Sequence, residues 1–126
     1  MKILGVDYGK KRVGIALSDG EGSFAFPKMV LSESPHLAKE IGELAKREGV
    51  NTIVIGESKD YGGSENPLLK DIHLLERVLM DDGFTVVLEP EYGSSHEAAR
   101  FQGKGPLHDA SAAAIILQRY LDKQTR

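Results

Sequence analysis

Two apolar runs open the chain. Ile3 to Val6 ends on an acid, Asp7, and Val13 to Leu17 leads back after Tyr8-Gly9-Lys10. The pattern predicts a β-hairpin, with strands over about residues 2–7 and 12–18 and a carboxylate at the end of the first. Asp19-Gly20-Glu21-Gly22 reads as a turn, and residues 23–31 as a third strand that Pro27 makes an edge or irregular one.

Helical spacing takes over at Ser34-Pro35, a cap followed by proline at the first helical position. Leu37, Ile41, Leu44 and Ala45 recur on one face to about Glu48, and Gly49 closes the helix. Thr52 to Gly56 is short, β-branched and apolar, as suits a central parallel strand covered on both faces. A loop is expected over Glu57 to Glu65. Asn66-Pro67 then starts a second helix with Leu68, Ile72, Leu75 and Leu79 along one face, ended by Asp82-Gly83. Phe84 to Leu88 reads as a further buried strand, Ser94 to Phe101 as a short helix, and Gly103-Lys104-Gly105 as a joint. A last helix begins at Pro106 or Leu107 and runs to about Asp122.

The order is β-β-β-α-β-α-β-α-α. A meander followed by βαβ units implies an α/β fold around a mixed five-stranded sheet. Strands one, four and five are parallel, and helices cover both faces. At 126 residues the chain is expected to be a single domain, 1–126, with neither repeat nor linker.

Composition narrows the chemistry. There are no cysteines, which excludes disulfides, zinc-thiolate sites and thiol catalysis and fits a cytoplasmic protein. No apolar stretch approaches a membrane span, and the first residues lack a signal-peptide pattern, so no membrane partner is expected. The net charge of −3 argues mildly against a large nucleic-acid footprint. Its distribution is uneven: residues 1–12 hold four Lys/Arg against one acid, and residues 57–97 hold three against ten. Acidic clusters can bind divalent cations and basic flanks phosphates, although charge runs are also ordinary solvated faces.

In such a sheet, ligands gather at the carboxyl ends of the parallel strands. Those ends bring forward Asp7, Glu57 and Glu91, and the last helix adds Asp109. Asp109 shares a face with Ala113, Ile116 and Tyr120, so it points toward the sheet; equally, it is an acid in a first helical turn, where the dipole favours one. Asp7 can likewise be only a turn former. Converging carboxylates are what a pair of Mg²⁺ or Mn²⁺ ions requires, and two such ions can activate water and stabilise the leaving oxygen of a phosphodiester.

The segment from Ile3 to Asp19 resembles the opening motif of the YqgF-like Holliday junction resolvases, a family with an RNase H-like fold. The resemblance continues through Ile53-Val54-Ile55-Gly56 with Gly63-Ser64-Glu65, through Val86-Val87-Leu88 with Glu91, and through Asp109 to Ala113 with Ile116-Leu117-Gln118. It implies a metal-dependent nuclease acting on branched DNA or on precursor 16S ribosomal RNA. Carried over by position, Asp7, Glu91 and Asp109 form the acidic site, and Lys11 and Arg12 contact phosphate or shape the turn. Lys10, Arg100 and Lys104 are further candidates for nucleic-acid contact.

The chain also departs from the family. Glu57-Ser58 replaces Leu-Pro, Pro90-Glu91-Tyr92 replaces Asp-Glu-Arg, Gly93-Ser94-Ser95 replaces Leu-Thr-Thr, and the basic loop before the last helix is shortened. Glu57 is therefore either an added metal ligand or a surface acid in a loop. His96 and His108 could shuttle protons, and Tyr61 and Tyr92 could stack on bases, but surface and packing roles explain them equally. Ser94, Ser95 and His96 lack an orienting acid at a telling spacing.

Three functions compete: a metal-dependent endonuclease, a non-catalytic nucleic-acid or ribosome-associated binder on the same fold, and, last, a nucleotide phosphohydrolase, for which the chain is too short to build a two-lobed cleft. Nucleic-acid binding by so acidic a chain is expected to be weak and salt-sensitive unless a homodimer joins two basic edges.

Overall fold

A computed structural model describes residues 1–58, 67–91 and 106–124. Its elements are β1 (Ile3–Asp7), β2 (Arg12–Ser18), β3 (Ala25–Ser32), α1 (Leu37–Arg47), β4 (Thr52–Ser58), α2 (Pro67–Asp81), β5 (Thr85–Glu91) and α3 (Pro106–Gln124). The expected short helix over 94–101 lies outside the described residues. The five strands form one sheet in the order β3-β2-β1-β4-β5. β1, β4 and β5 are parallel, while β2 and β3 run antiparallel beside them. The mixed sheet expected from the apolar pattern is therefore present, with α1 and α2 on one face and α3 on the other.

Pro27 does sit on an edge strand. The β2–β3 register shifts between Ile15 and Ala16, which pair with Met29 and Pro27 and leave Lys28 as the extra residue. The glycine stops also hold. Gly49 and Gly83 adopt φ of +72° and +101°. The N–H of Val50 returns to the Ala45 carbonyl at 2.8 Å, and that of Phe84 to Leu79 at 3.1 Å, closing α1 and α2 in the same way.

Three boundaries differ from expectation. α1 starts at Leu37, with His36 at the cap position and no side-chain cap. Ser34 is spent on a local turn: its Oγ accepts the His36 N–H at 3.1 Å and its carbonyl the Leu37 N–H at 3.1 Å. β4 continues through Glu57 to Ser58, paired with Pro90 and Glu91 of β5, where a loop was expected. β5 correspondingly spans Thr85–Glu91 and carries both Glu89 and Glu91.

Strand alternation sorts the core. Leu4, Val6, Ile53 and Ile55 pack with Ile41, Leu44, Ile72 and Leu79 on the α1/α2 side. Ile3, Ala16 and Val54 pack with Ala113, Ile116, Leu117 and Leu121 of α3 on the other. The second layer is thin because α3 lies directly on backbone. A Cβ at Gly5 would come within 2.8 Å of the Leu117 Cβ and 3.2 Å of the Ala113 carbonyl oxygen.

The direction of α3 follows from its polar anchors. Gln118 Oε1 accepts the Ala25 N–H at 2.9 Å, and its Nε2 donates to the Ser23 carbonyl at 3.0 Å and to Asp122 Oδ1 at 3.0 Å. Ala25 pairs with Ser18, whose Oγ accepts the Ile3 N–H at 2.7 Å. The later turns of α3 therefore lie at the start of β1, and its first turn lies toward the end of β1. Asp19 fixes the intervening turn. Its Oδ1 accepts the Ser23 and Phe24 N–H groups at 2.7 and 3.2 Å, which holds its carboxyl below the usual carboxylate range.

Gly5→Ala should destabilise the fold by about 1–3 kcal/mol, the cost of overpacking a closed contact. Chemical denaturation of the variant measures it, and a change below a few tenths of a kcal/mol would mean that α3 can lift from the sheet freely.

Candidate active site

The sheet places Asp7 at the end of its central strand, on the α3 side together with Ile3 and Gly5. On one side it pairs with Gly14 of β2. On the other, the β1–β4 register reaches Val6↔Ile55, so the next residue of β4, Gly56, lies level with Asp7. Asp7 is thus flanked by glycine on both neighbouring strands. Neither neighbour puts a Cβ beside this half-buried carboxylate, and both glycines are themselves buried. The turn that follows is equally constrained: a Cβ at Gly9 would meet the Arg12 carbonyl oxygen at 2.6 Å.

The other acids fall on definite levels. Gly56 pairs with Glu89, and Glu91, the last residue of β5, pairs with Ser58. Glu91 ends β5 four residues after Val87, which packs against the α3 layer. Asp109 lies in the first turn of α3, four residues before Ala113. Four helical residues rise about 6 Å, and two strand residues rise nearly the same. Ala113 sits over Gly5, so the first turn of α3, with Asp109, lies toward the Asp7 end of β1.

Glu57 does not join them. It shares strand parity with Ile53 and Ile55, on the opposite face of the sheet, and its Oε2 lies 3.1 Å from His73 Nε2 of α2 with the carboxylate only 16% exposed. The expectation of a fourth ligand at Glu57 is corrected in this respect: the extra residues of β4 turn it toward α2, away from Asp7. It is not a loop acid either.

Lys10, Lys11 and Arg12 are exposed at the bend that follows Asp7, at the same edge of the sheet. Arg100 and Lys104 lie outside the described residues, as do Tyr61, Tyr92, Ser94, Ser95 and His96; His108 lies in the first turn of α3. Among the described residues, no group of three or more His, Cys, Asp or Glu side chains is gathered to hold a metal.

Two features escaped the sequence pattern. Glu89 is buried on the α3 side and ion-pairs with Lys123 Nζ at 2.5 Å, tying the last turn of α3 to β5. Its place on the strand gives it the parity of Val87, but nothing local names a partner 34 residues away. Tyr8 packs against the α1/α2 core, beside Glu33 and Asp71. Burial, these two negative charges and a hydrogen bond donated to Glu33 push its phenol above the ordinary value of 10.0. Tyr8 therefore anchors the residue next to Asp7 on the reverse side of the sheet.

A protein-family model described as RuvX, Holliday junction resolvase, matches residues 1–123. A relative from Bordetella petrii, described as a "putative pre-16S rRNA nuclease", is 34% identical over 123 residues, covering 95% of this chain and 94% of its own length. Another with the same description, from Nitratidesulfovibrio vulgaris, is 32% identical over 127 residues, covering 98% and 86%. Among solved structures, Thermus thermophilus RuvC superposes with a TM-score of 0.64 at 17% identity over 99% of this chain and 96% of its own. The Fowlpox virus resolvase, solved with Holliday junction DNA, gives 0.63 at 11% identity over 100% of both chains. At such identities these two establish the shared fold.

Because Tyr8 binds its proton more tightly folded than unfolded, its contribution to stability is complete below pH 10.0 and is lost as pH rises through the folded pKa. In an ultraviolet titration, one of the four tyrosines should ionise above the ordinary value, and that component should vanish in Tyr8→Phe. A titration unchanged by the substitution would dissociate Tyr8 from the shift.

Proposed function

The chain belongs to the RuvX family of Holliday junction resolvases, and on that premise we propose that it is a divalent-metal-dependent endonuclease acting on structured nucleic acid. The observation that carries the reading is the setting of Asp7, a half-buried carboxylate at a strand end with glycine on both neighbouring strands. Glu91, at the end of β5, and Asp109, in the first turn of α3, are the residues we propose to complete an oxygen-only donor set suited to hard cations. Bound there, a pair of Mg²⁺ or Mn²⁺ ions would supply an activated water and stabilise the leaving oxygen of a phosphodiester.

The remaining work falls to the chain's own residues. Gly14 and Gly56, both buried, place no side chain against Asp7 from the neighbouring strands. Lys10, Lys11 and Arg12 hold the flanking phosphates, with Arg100 and Lys104 proposed as further contacts. These are sequence-independent contacts, so binding should weaken steeply with salt. The substrate is a four-way DNA junction or a precursor rRNA end. The family description supports the first, and the names of the curated relatives support the second.

The test is cleavage of a fluorescent four-way junction and a precursor 16S rRNA fragment, with Mn²⁺ or with EDTA. Wild type should cut one of them only with metal. Asp7→Asn should lower the rate at least about a hundredfold, the scale of losing a group that stabilises transition-state charge, with an unchanged circular dichroism spectrum. Glu57→Gln should retain most activity, because Glu57 faces α2. Cutting by Asp7→Asn at the wild-type rate would sink the assignment. Metal-independent binding without cutting by wild type would instead identify a non-catalytic binding module, the reading that Tyr92 in place of the family's arginine favours.

A further inference from the structure

The edge strand β3 begins with an aromatic pair that the core does not use. Phe24 and Phe26 are 62% and 53% exposed. The strand pairings set Leu4, Leu17 and Phe26 in one row across the sheet. Leu4 and Leu17 are buried in the α1/α2 core, so Phe26 lies on that face, at its uncovered margin. Phe24, two residues earlier, has the same parity. Its N–H donates to Asp19 Oδ1 at 3.2 Å and its carbonyl accepts the Asp19 N–H at 3.0 Å, which holds its backbone in place. Cations reach the same margin. Lys2 and Lys28 Nζ lie 3.2 and 3.8 Å from the two carboxylate oxygens of Glu48, the residue that ends α1. Two ammonium groups thus meet one carboxylate, leaving one positive charge in excess.

An added peptide strand is poorly received here. Pro27 has no N–H to offer it, and Lys28 is the extra residue of a bulge, so the edge is blunted as a template. A pair of rings is also far smaller than a stable protein interface. Bases suit the site better. Rings two residues apart on a strand stand about 7 Å apart. Bases stacked in a duplex are separated by about 3.4 Å along each strand, so only a single strand with splayed bases can set one on each ring. Its phosphates then fall to the neighbouring lysines. We propose that Phe24 and Phe26 form a stacking platform for a single-stranded segment of nucleic acid, with Lys2 and Lys28 as its phosphate contacts. The inference rests on the reading of the chain as a nucleic-acid protein and deepens it: the substrate carries an unpaired strand, held at the end of β2 remote from Asp7.

Fluorescence anisotropy in EDTA tests it, with labelled oligo(U) and oligo(dT) of about 12 nucleotides and a duplex of the same length as control. Wild type should bind at least one single strand more tightly than the duplex. Phe24→Ala and Phe26→Ala should each weaken single-strand binding about tenfold, the scale of one base–aromatic stack, and leave the duplex unaffected. That loss should persist at about 0.5 M salt, where phosphate contacts are screened. Phe26→Tyr keeps the ring and should stay within about threefold of wild type. Both phenylalanines are exposed, so circular dichroism should be unchanged in each variant. Single-strand affinity indifferent to both alanine substitutions would overturn the proposal and leave the rings to a protein partner. A loss shared equally by the duplex would overturn it too, because a duplex cannot stack on both rings. EDTA keeps binding apart from cleavage. Ring-dependent binding by a chain that cuts nothing would support the platform while sinking the nuclease. Metal-dependent cutting with binding indifferent to the rings would do the reverse.

Discussion

The contact on which the rest of the structure depends is the seating of α3 on the bare backbone of β1. At Gly5 the helix comes so close that a methyl group would strike Leu117 and crowd the Ala113 carbonyl. A helix carried on larger side chains would stand off the sheet at the usual 10 Å or so. This one is drawn in by Gly5 and by its own alanines, and the large side chains Ile116, Leu117 and Leu121 pack around the contact. Burying each of these contributes roughly 1.5–3 kcal/mol, so the thin layer is still firmly held. The polar anchors at its far end, Gln118 to β3 and Lys123 to Glu89, then set its direction. With contact point and direction fixed, the first turn of α3 has one place to go, the carboxyl end of β1 where Asp7 stands.

The second constraint is strand alternation, which separates groups that are adjacent in sequence or level in the sheet. Asp7 and Tyr8 are neighbours, yet one belongs to the α3 face and the other packs into the α1/α2 core. Asp7 and Glu57 stand at the same edge, yet Glu57 meets His73 on the far side. The two faces have different chemistry for that reason. The α3 face carries Asp7 between Gly14 and Gly56, and on the α2 face Glu57 and Glu33 meet a histidine and a phenol.

Much of this was legible in residue pattern, and the misses have a common cause. The hairpin, the parallel central strands and the helix stops at Gly49 and Gly83 depend on local rules, and each is present. Ser34 failed as a cap because an equally local alternative, a turn onto His36, took its hydroxyl. β4 runs two residues past its apolar segment because its last pairings, Glu57↔Pro90 and Ser58↔Glu91, are supplied by β5 and leave no apolar trace in β4 itself. At the site, Asp7 stood out at the strand end, but its setting did not. That Gly14 and Gly56 flank it is a matter of register, and register between strands this far apart in the chain is a tertiary fact. Glu89–Lys123 and Gln118–Ala25, separated by 34 and 93 residues, are invisible to local pattern for the same reason.

The partition of charge joins these threads. A net charge of −3 describes the chain poorly as a partner for nucleic acid, because the charge is unevenly distributed along it. On α2, Asp71, Glu76 and Asp81 outnumber Lys70 and Arg77. Glu33 and Glu57 add to the same side of the sheet. α1, on the same face, offsets α2 with Lys39, Lys46 and Arg47 against Glu40 and Glu43, so the two helices together carry no net charge. The bend at Lys10, Lys11 and Arg12 lies instead at the edge where Asp7 opens, and it carries the densest positive charge among the described residues. Under the proposed nuclease reading, a polyanion approaches along this edge of the sheet.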